Sequence, residues 1–409
     1  MNKKINVLCY SLMLFLGIHL AIYQNSINYI TEGIKNKNMI MGTLVALRFI
    51  GIAIAPIMSG EIGDRIGKKK VLIVALVIIS LGIAMIILSK SIFLISLGIF
   101  LTGCGSGSIE SLGSSILADT NPLDTNRVIN ISQVFFSVGA VLGPLISLKI
   151  IDTLGNWKLS YLPAFLVFVV MVVVTYSVKF VNVVGNKLHG TKASSNSVYP
   201  EKIDTSDDTG NSKELSKQEK GLFAARLFKD GYFRLLCLSI FLYVGIESGS
   251  AFWITTYFSD VLNAGKLGSY ALSGFWGGMI IGRYICSKLE SKREMVFDIS
   301  LIISALSIII CLIIRTTVSG IISFTFLGFG FAAIWPALMT AAAERHPHNT
   351  GTAIGMMMTA SAIGGVIIPF MMGILGNAFS VTGALVIVPV SVLLILVIHI
   401  ITGKKYKKV

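Results

Sequence analysis

Long apolar segments alternate with short polar ones along almost the whole chain. Each apolar segment has about the 20 residues that an α-helix needs to cross a bilayer. They lie at residues 6–30, 39–59, 71–89, 92–118, 128–151, 159–181, 233–258, 268–287, 296–315, 317–343, 351–376 and 380–402. The pattern predicts an all-α integral membrane protein with twelve transmembrane helices.

One long polar segment, about Asn182 to Glu219, interrupts this alternation. It is rich in Ser, Asp, Asn, Thr and Lys and poor in aromatic residues, a composition that does not form a packed core. It predicts a cytoplasmic linker at 182–230 between an N-terminal six-helix bundle at 1–181 and a C-terminal six-helix bundle at 231–409. At its end, 222–233 is expected to form a short interfacial helix.

Composition and charge agree with a membrane protein. The chain is 54% hydrophobic and only 13% charged. Its net charge of +14 comes from Lys and Arg gathered in alternate loops, which follows the positive-inside rule, so a nucleic-acid partner is not expected. The rule places both termini in the cytoplasm. The five cysteines lie in apolar segments without metal-ligand spacing, and we expect no metal site and no cofactor.

The two halves repeat each other. Gly139 and Pro144 of the fifth predicted helix correspond to Gly364 and Pro369 of the eleventh, 225 positions later. This predicts two pseudo-symmetric six-helix bundles, as in transporters that bind their substrate near the bilayer midplane.

The turn after the second predicted helix carries a specific motif. The run Gly60-Glu61-Ile62-Gly63-Asp64-Arg65-Ile66-Gly67-Lys68-Lys69-Lys70 resembles the signature loop of the major facilitator superfamily. The resemblance implies the twelve-helix fold of that family. We expect Asp64 and Arg65 to form a gating cluster with Asp119 at the cytoplasmic helix ends. Gly60 and Gly67 of this loop, and Gly139 and Pro144 of the fifth predicted helix, are also assigned to conformational gating. Its counterpart in the second half would pair Glu344 with Arg283 or Arg345.

Ionisable residues lie near the middle of several predicted helices. Glu110 lies close to the bilayer centre of the fourth helix, where a charge is costly and by default functional. Glu247 occupies a similar depth in the seventh helix, and His19 is at the matching place in the first. Arg48, midway along the second helix, needs a partner; Glu110 and Glu247 are the candidates.

Aromatic rings are concentrated in the second half, at Trp253, Tyr257, Trp276 and Trp335. Rings near helix ends suit the membrane interface. Trp335 lies too deep for that role, so stacking on a substrate is the alternative.

A narrower resemblance is to the fucose and glucose permease branch of the superfamily. The runs that carry it are 103–111, 130–144 and 243–248, the last continuing to Trp253 and Tyr257. It implies that Glu110 belongs to a cation-coupled sugar site. The further candidate binding residues are His19, Asn25, Ser114, Gln133, Trp253 and Tyr257. The sequence departs from the branch at Ser114, where an asparagine is usual, and around Asn25, where an acidic residue is usual. Gly139-x-x-x-Gly143-Pro144 resembles the core of an antiporter motif, but the double glycine that completes it is absent.

Three kinds of protein remain open. They are an importer of a small polar solute coupled to protons or sodium, an efflux antiporter, and a sensor that binds without transport. The midplane carboxylates favour import. No catalytic motif indicates an enzyme. We expect a monomer in the cytoplasmic membrane, with a small-molecule substrate and lipid as its partners.

Overall fold

The fold is a bundle of long α-helices. In this computed structural model of the protein, residues 3–121, 124–178, 227, 229–289, 292–346 and 350–406 are described, apart from some side chains within them. Most of the predicted linker and the start of the predicted interfacial helix lie outside these residues. The first half comprises α1 Lys3–Ile30, α2 Lys37–Ile66, α3 Lys68–Leu88, α4 Ile92–Thr120, α5 Thr125–Leu154, a short 3-10 turn at Trp157–Tyr161 and α6 Leu162–Ser177.

The second half repeats this arrangement. It comprises α7 Gly231–Asp260, α8 Gly265–Lys288, α9 Arg293–Ile314, α10 Thr317–Phe331, α11 Ile334–Arg345, α12 Thr350–Ala378, α13 Val381–Leu385 and α14 Ile387–Tyr406. Eleven described segments are long and apolar enough to cross a membrane. The remaining predicted crossing is α8, which is less apolar because it carries Lys266, Arg283 and Lys288.

Two of the predicted helices are interrupted. The tenth breaks into α10 and α11, and the twelfth into α13 and α14. Pro336 and Pro389 lie just after the breaks. Because proline lacks an N–H and clashes with the carbonyl four residues earlier, it interrupts the helical hydrogen-bond ladder there.

Close glycine contacts give the repeat a structural basis. A Cβ on Gly139 of α5 would lie 2.0 Å from the Leu14 carbonyl oxygen of α1, and a Cβ on Gly364 of α12 would lie 2.0 Å from that of Phe241 of α7. These glycines are the pair that the sequence repeat aligned. The absence of a side chain therefore lets the same two helices approach closely in each half.

The two halves are in close contact at one end of the bundle. We call the end that holds the loop at 67, the start of α1 and the end of α14 the basic end, and the other the opposite end. At the opposite end Lys37 pairs with Asp260 at 2.5 Å, and Asn38 donates to the Gly376 carbonyl at 2.8 Å. A Cβ on Gly42 would lie 3.0 Å from Gly373 Cα, so α2 and α12 are in backbone contact there.

Candidate functional site

Glu110 and Gln133 are brought together at the middle of the N-terminal half. Glu110 lies ten residues before the end of α4 at Thr120, which places it about 15 Å from that end. Gln133 Nε2 of α5 lies 3.5 Å from Glu110 Oε1. Both side chains are partly exposed, although the surrounding helices are apolar. Both residues are among the predicted binding residues, and the structure places them next to each other.

The C-terminal half contributes a second carboxylate. Glu247 of α7 is also partly exposed, and its Oε1 lies 3.0 Å from the Tyr243 hydroxyl. The same hydroxyl lies 2.9 Å from the Phe331 carbonyl, so its single proton has two competing acceptors. Arg283 of α8 lies within electrostatic range of Glu247.

Arg283 also connects the two halves. Its Nη1 donates to Ser137 Oγ of α5 at 3.3 Å, and Ser137 lies one helical turn beyond Gln133. Hydrogen bonds connect Glu110, Gln133, Ser137 and Arg283, and Glu247 lies within electrostatic range of Arg283. We call these five residues the polar belt. The belt contains one carboxylate from each half, together with amide, hydroxyl and guanidinium groups that can donate or accept hydrogen bonds.

Cross-half contacts close the bundle on the opposite-end side of the belt. Trp276 Nε1 of α8 donates to Gln24 Oε1 of α1 at 3.0 Å, and Ser273 Oγ donates to the Val141 carbonyl at 2.9 Å. Thr255 Oγ1 lies 3.3 Å from the Gln24 carbonyl. Between described residues, no hydrogen bond or ion pair joins the two halves on the basic-end side of Arg283 and Ser137. The belt therefore lies on the basic-end side of the contacts that join the two halves.

Gln24, Ser137 and Trp276 were not among the predicted site residues. The sequence feature that could have identified them is the one that identified Glu110, namely a polar or aromatic side chain within an apolar helix. Many buried serines in this chain instead bond to a carbonyl of their own helix, as Ser80 does at 2.8 Å. Sequence position alone therefore does not separate the two classes.

Arg48 does not pair directly with either candidate carboxylate. Its Nη1 donates to Thr102 Oγ1 at 3.2 Å, and its Nη2 lies 3.5 Å from Ser106 Oγ, both on α4. Ser106 lies one helical turn before Glu110. The predicted ion pair is thus replaced by contact through a hydroxyl, because Arg48 points along α4 on the opposite-end side of Glu110.

Several predicted binding residues lie away from the belt. His19 is fully buried against the rings of Tyr161 and Phe168. Tyr257 is buried and donates to the Cys311 carbonyl at 3.0 Å. Trp253, one turn earlier on α7, is also fully buried. These three contribute to the cores of the halves, since their rings pack inside one bundle.

The other predicted binding residues have different surroundings. Asn25 belongs to the closed end, where it accepts from Ser269 Oγ at 2.7 Å and donates to Ser147 Oγ at 3.1 Å. Ser114 lies on α4 one turn beyond Glu110 and is partly exposed. Trp335 is 38% exposed at the start of α11. Of these, Ser114 is the one adjacent to the belt in the helix.

Arg65, Asp119 and Glu344, which were predicted to form gating clusters, make their described ion pairs with other residues. Arg65 pairs with Glu61 at 2.5 Å, one turn earlier on its own helix. Asp119 pairs with Lys68 at 2.6 Å. Lys68 takes this place because it begins α3 beside the end of α4. The side chain of Asp64 lies outside the described residues.

The second cluster differs in the same way. Glu344 pairs with Arg293 at 2.7 Å, and Arg345 with Asp230 at 3.1 Å. Arg283 instead crosses to Ser137, because its position on α8 faces the other half. Among the glycines and prolines assigned to gating, Gly67 has a positive φ of 99°, Gly60 has open space around it, and Pro144 lies inside an unbroken α5.

Comparison with known proteins gives a consistent picture. The chain matches the sequence profile of the Major Facilitator Superfamily over residues 7–369, with a second match over 291–407. It is 26% identical over 330 residues to the glucose/mannose transporter GlcP of Bacillus subtilis (strain 168), which covers 79% of this chain and 75% of that protein.

Solved structures share the fold. A D-xylose-proton symporter matches with a TM-score of 0.77 at 15% identity, and the match covers 97% of each chain. The E. coli fucose:proton symporter FucP, solved as a single-residue variant, matches with a TM-score of 0.61 at 19% identity over 97% of this chain and 98% of that one. The resemblance noted in the sequence and the predicted fold class are confirmed.

Proposed function

This chain belongs to the Major Facilitator Superfamily, and we propose that it imports a monosaccharide together with a proton across the cytoplasmic membrane. It is a multi-pass membrane transporter rather than an enzyme. The proposal for the substrate draws on its similarity to a glucose/mannose transporter. The fold likeness to sugar:proton symporters is compatible with this substrate class.

The polar belt is the observation that carries the proposal. It holds two partly exposed carboxylates, Glu110 and Glu247, at membrane depth, where an ionisable group is by default functional. Its amide, hydroxyl and guanidinium groups provide the donors and acceptors that a sugar ring requires. An export pocket for amphiphilic drugs is expected to be more uniformly apolar.

A proton is the simplest coupling ion for Glu110. A single carboxylate suffices to carry a proton, whereas a metal cation requires several converging oxygens. Among described residues, the side chain found to hydrogen-bond the Glu110 carboxylate is that of Gln133, through Nε2 at 3.5 Å. That geometry favours the proton, and sodium-driven uptake is the alternative outcome of the experiment below.

The basic end is proposed to face the cytoplasm. Lys68, Lys69, Lys70 and Arg293 lie at this end, as the positive-inside rule requires of cytoplasmic loops. Both termini are then cytoplasmic, and the contacts between the halves at the opposite end close the outward side. We further propose that the protein works as a monomer, with a small-molecule substrate, no nucleic-acid partner and no cofactor beyond its coupling ion.

Transport in proteoliposomes tests this proposal. The purified protein is assayed with a panel of radiolabelled monosaccharides under an imposed proton gradient, an imposed sodium gradient, or neither. Glu110→Gln should abolish gradient-driven accumulation and largely preserve exchange of substrate across the membrane, since exchange needs no net proton transfer. Glu32→Gln, which changes an exposed carboxylate at the opposite end, is the matched control and should accumulate substrate normally.

Three results would contradict the proposal in different ways. Full accumulation by the Glu110→Gln variant would remove Glu110 from coupling. Loss of both accumulation and exchange would assign it to substrate binding or structure. Proton-driven expulsion of amphiphiles, with no monosaccharide movement, would favour the efflux alternative.

A further inference from the structure

A group of buried polar side chains in the N-terminal half is left short of hydrogen bonds. His19, Tyr23, Ser26, Arg48 and Tyr161 are each at most 2% exposed. Six of their atoms make no hydrogen bond of acceptable geometry: both imidazole nitrogens of His19, the hydroxyls of Tyr23, Ser26 and Tyr161, and Nε of Arg48. We call these five residues the N-half polar cluster. Each such atom is costly in a membrane protein, where the surrounding hydrocarbon supplies no hydrogen bonds.

The five residues form one contiguous group. Arg48 Cζ lies 5.5 Å from the Tyr23 ring centre, and the rings of His19 and Tyr161 are 6.2 Å apart. The hydroxyls of Ser26 and Tyr161 are neighbours, and Arg48 lies within electrostatic range of His19, Tyr23 and Tyr161. Ser26 is four residues from the end of α1 at Ile30, so the cluster extends from about 6 Å below the opposite end inward to Arg48.

Arg48 lies over the ring of Tyr23, but no carboxylate of the cluster balances its charge. Its two hydrogen bonds go to the neutral hydroxyls of Thr102 and Ser106. Among described residues no carboxylate lies within 4.0 Å of its guanidinium. A buried cation without a close counter-charge is strongly unfavourable.

The fold itself does not require a charge at this position. A Cβ on Gly103 would lie 2.3 Å from the Arg48 carbonyl oxygen, and a Cβ on Gly328 would lie 1.9 Å from that of Phe275. Gly103 and Gly328 are related by the sequence repeat, so Phe275 is the counterpart of Arg48. Phe275 is fully buried among the rings of Trp276 and Phe331. An apolar residue therefore satisfies the same packing in the other half.

We propose that the N-half polar cluster binds one small anion, of the size of chloride or bromide. The cluster offers a guanidinium N–H, three hydroxyl protons and an imidazole N–H, which are the donors that a monatomic anion accepts. A proton path through the same place is disfavoured, because a fixed arginine charge repels protons. The anion completes the hydrogen bonding of the cluster and neutralises Arg48.

The location connects this site to the opposite end and to the belt. Asn25, adjacent to Ser26 in the chain, lines a polar pocket of about 200 Å³ at the opposite end. On the other side Arg48 contacts Ser106, and Arg48 lies within electrostatic range of Glu110. A bound anion therefore offsets the arginine charge that acts on the belt.

Binding of radiolabelled chloride to the purified full-length protein tests the site without reference to transport. Gluconate, which is too large for a buried site, keeps the ionic strength constant. We expect one saturable chloride site per chain, and bromide should compete for it. Tyr161→Phe and Tyr23→Phe keep the rings but remove a donor, so each should weaken binding about tenfold, equal to about 1.4 kcal/mol.

Two controls make the result decisive. Tyr176→Phe alters a tyrosine that is 74% exposed and should leave chloride affinity unchanged. Arg48→Gln should abolish binding; should that variant not fold, the two tyrosine variants still decide the question. Absence of saturable binding, equal affinity in Tyr161→Phe and Tyr176→Phe, or a bromide-soaked crystal with only water at the cluster would overturn the proposal.

Discussion

The ion pair between Lys37 and Asp260 should hold the opposite end closed. It joins the start of α2 to the end of α7, and thus one half to the other, with an Nζ to Oδ2 distance of 2.5 Å. Asp260→Asn removes the charge and keeps the shape of the side chain. Because the pair forms only where the halves meet, its loss should shift the conformational equilibrium towards a form open at the opposite end.

The expected size of the shift follows from the exposure of the pair. The two side chains are 33% and 22% exposed, so the pair is partly protected from water and should contribute about 1 kcal/mol, the upper part of the range for surface pairs. That energy corresponds to about a fivefold change in the ratio of the two forms. The other described cross-half ion pair, Lys266 with Asp152, has exposures of 72% and 38%, and water screens it more.

Thiol accessibility provides the assay. Ser269→Cys places a single reactive thiol at a buried position of the opposite end, in a background without the native cysteines. A membrane-impermeant reagent should label this thiol about five times faster at low reagent concentration when Asp260→Asn is added, because labelling reports the open fraction. Asp152→Asn is the matched control and should have a smaller effect. Equal labelling rates with and without Asp260→Asn, or an equal effect of Asp152→Asn, would refute this reasoning.

Two further predictions concern helix packing and the belt. Gly139→Ala should lower the thermal unfolding midpoint, because overpacking α1 against α5 costs about 1–3 kcal/mol. Gly60→Ala is the control and should be neutral or stabilising, since a Cβ there would have nothing within 4 Å. Equal unfolding midpoints of the two variants would contradict the close contact at Gly139. Arg283→Gln should slow initial uptake about tenfold, because it removes a charge-assisted hydrogen bond between the halves. Ser137→Ala should slow uptake less, since Arg283 remains near Glu247, and the reverse order would show that the hydroxyl is the more important partner.

Helix number and repeat were accessible from local sequence. A helix that crosses hydrocarbon must form all its backbone hydrogen bonds internally and must be apolar over about 20 residues. Each crossing can therefore be recognised in the sequence as a separate apolar segment. The repeat could be aligned because Gly139 and Gly364 are needed for the same close contact. The helix breaks before Pro336 and Pro389 were not predicted. Three other prolines, Pro56, Pro144 and Pro369, lie inside continuous helices. Proline alone therefore does not specify a break, since neighbouring helices determine whether the interrupted ladder is tolerated.

The depth of a residue in the membrane could also be predicted from the sequence, and it identified Glu110, Glu247 and Arg48 as candidate functional residues. Their hydrogen-bond partners could not be predicted, because a hydrogen bond depends on the rotation of each helix about its axis and on the residues that face it. Arg48 reaches Ser106 rather than a carboxylate, and Arg283 reaches Ser137 of the other half.

The closed end depends on contacts between residues that are far apart in the chain. Gln24 and Trp276 are 252 residues apart, and neither has a local pattern that names the other. Local sequence was enough to establish how many helices cross the membrane, how the halves repeat and how deep the carboxylates lie, because these are properties of single helices in hydrocarbon. Which side chains meet across the halves was settled by the packing of two bundles against each other, because that contact depends on the relative rotation and tilt of distant helices.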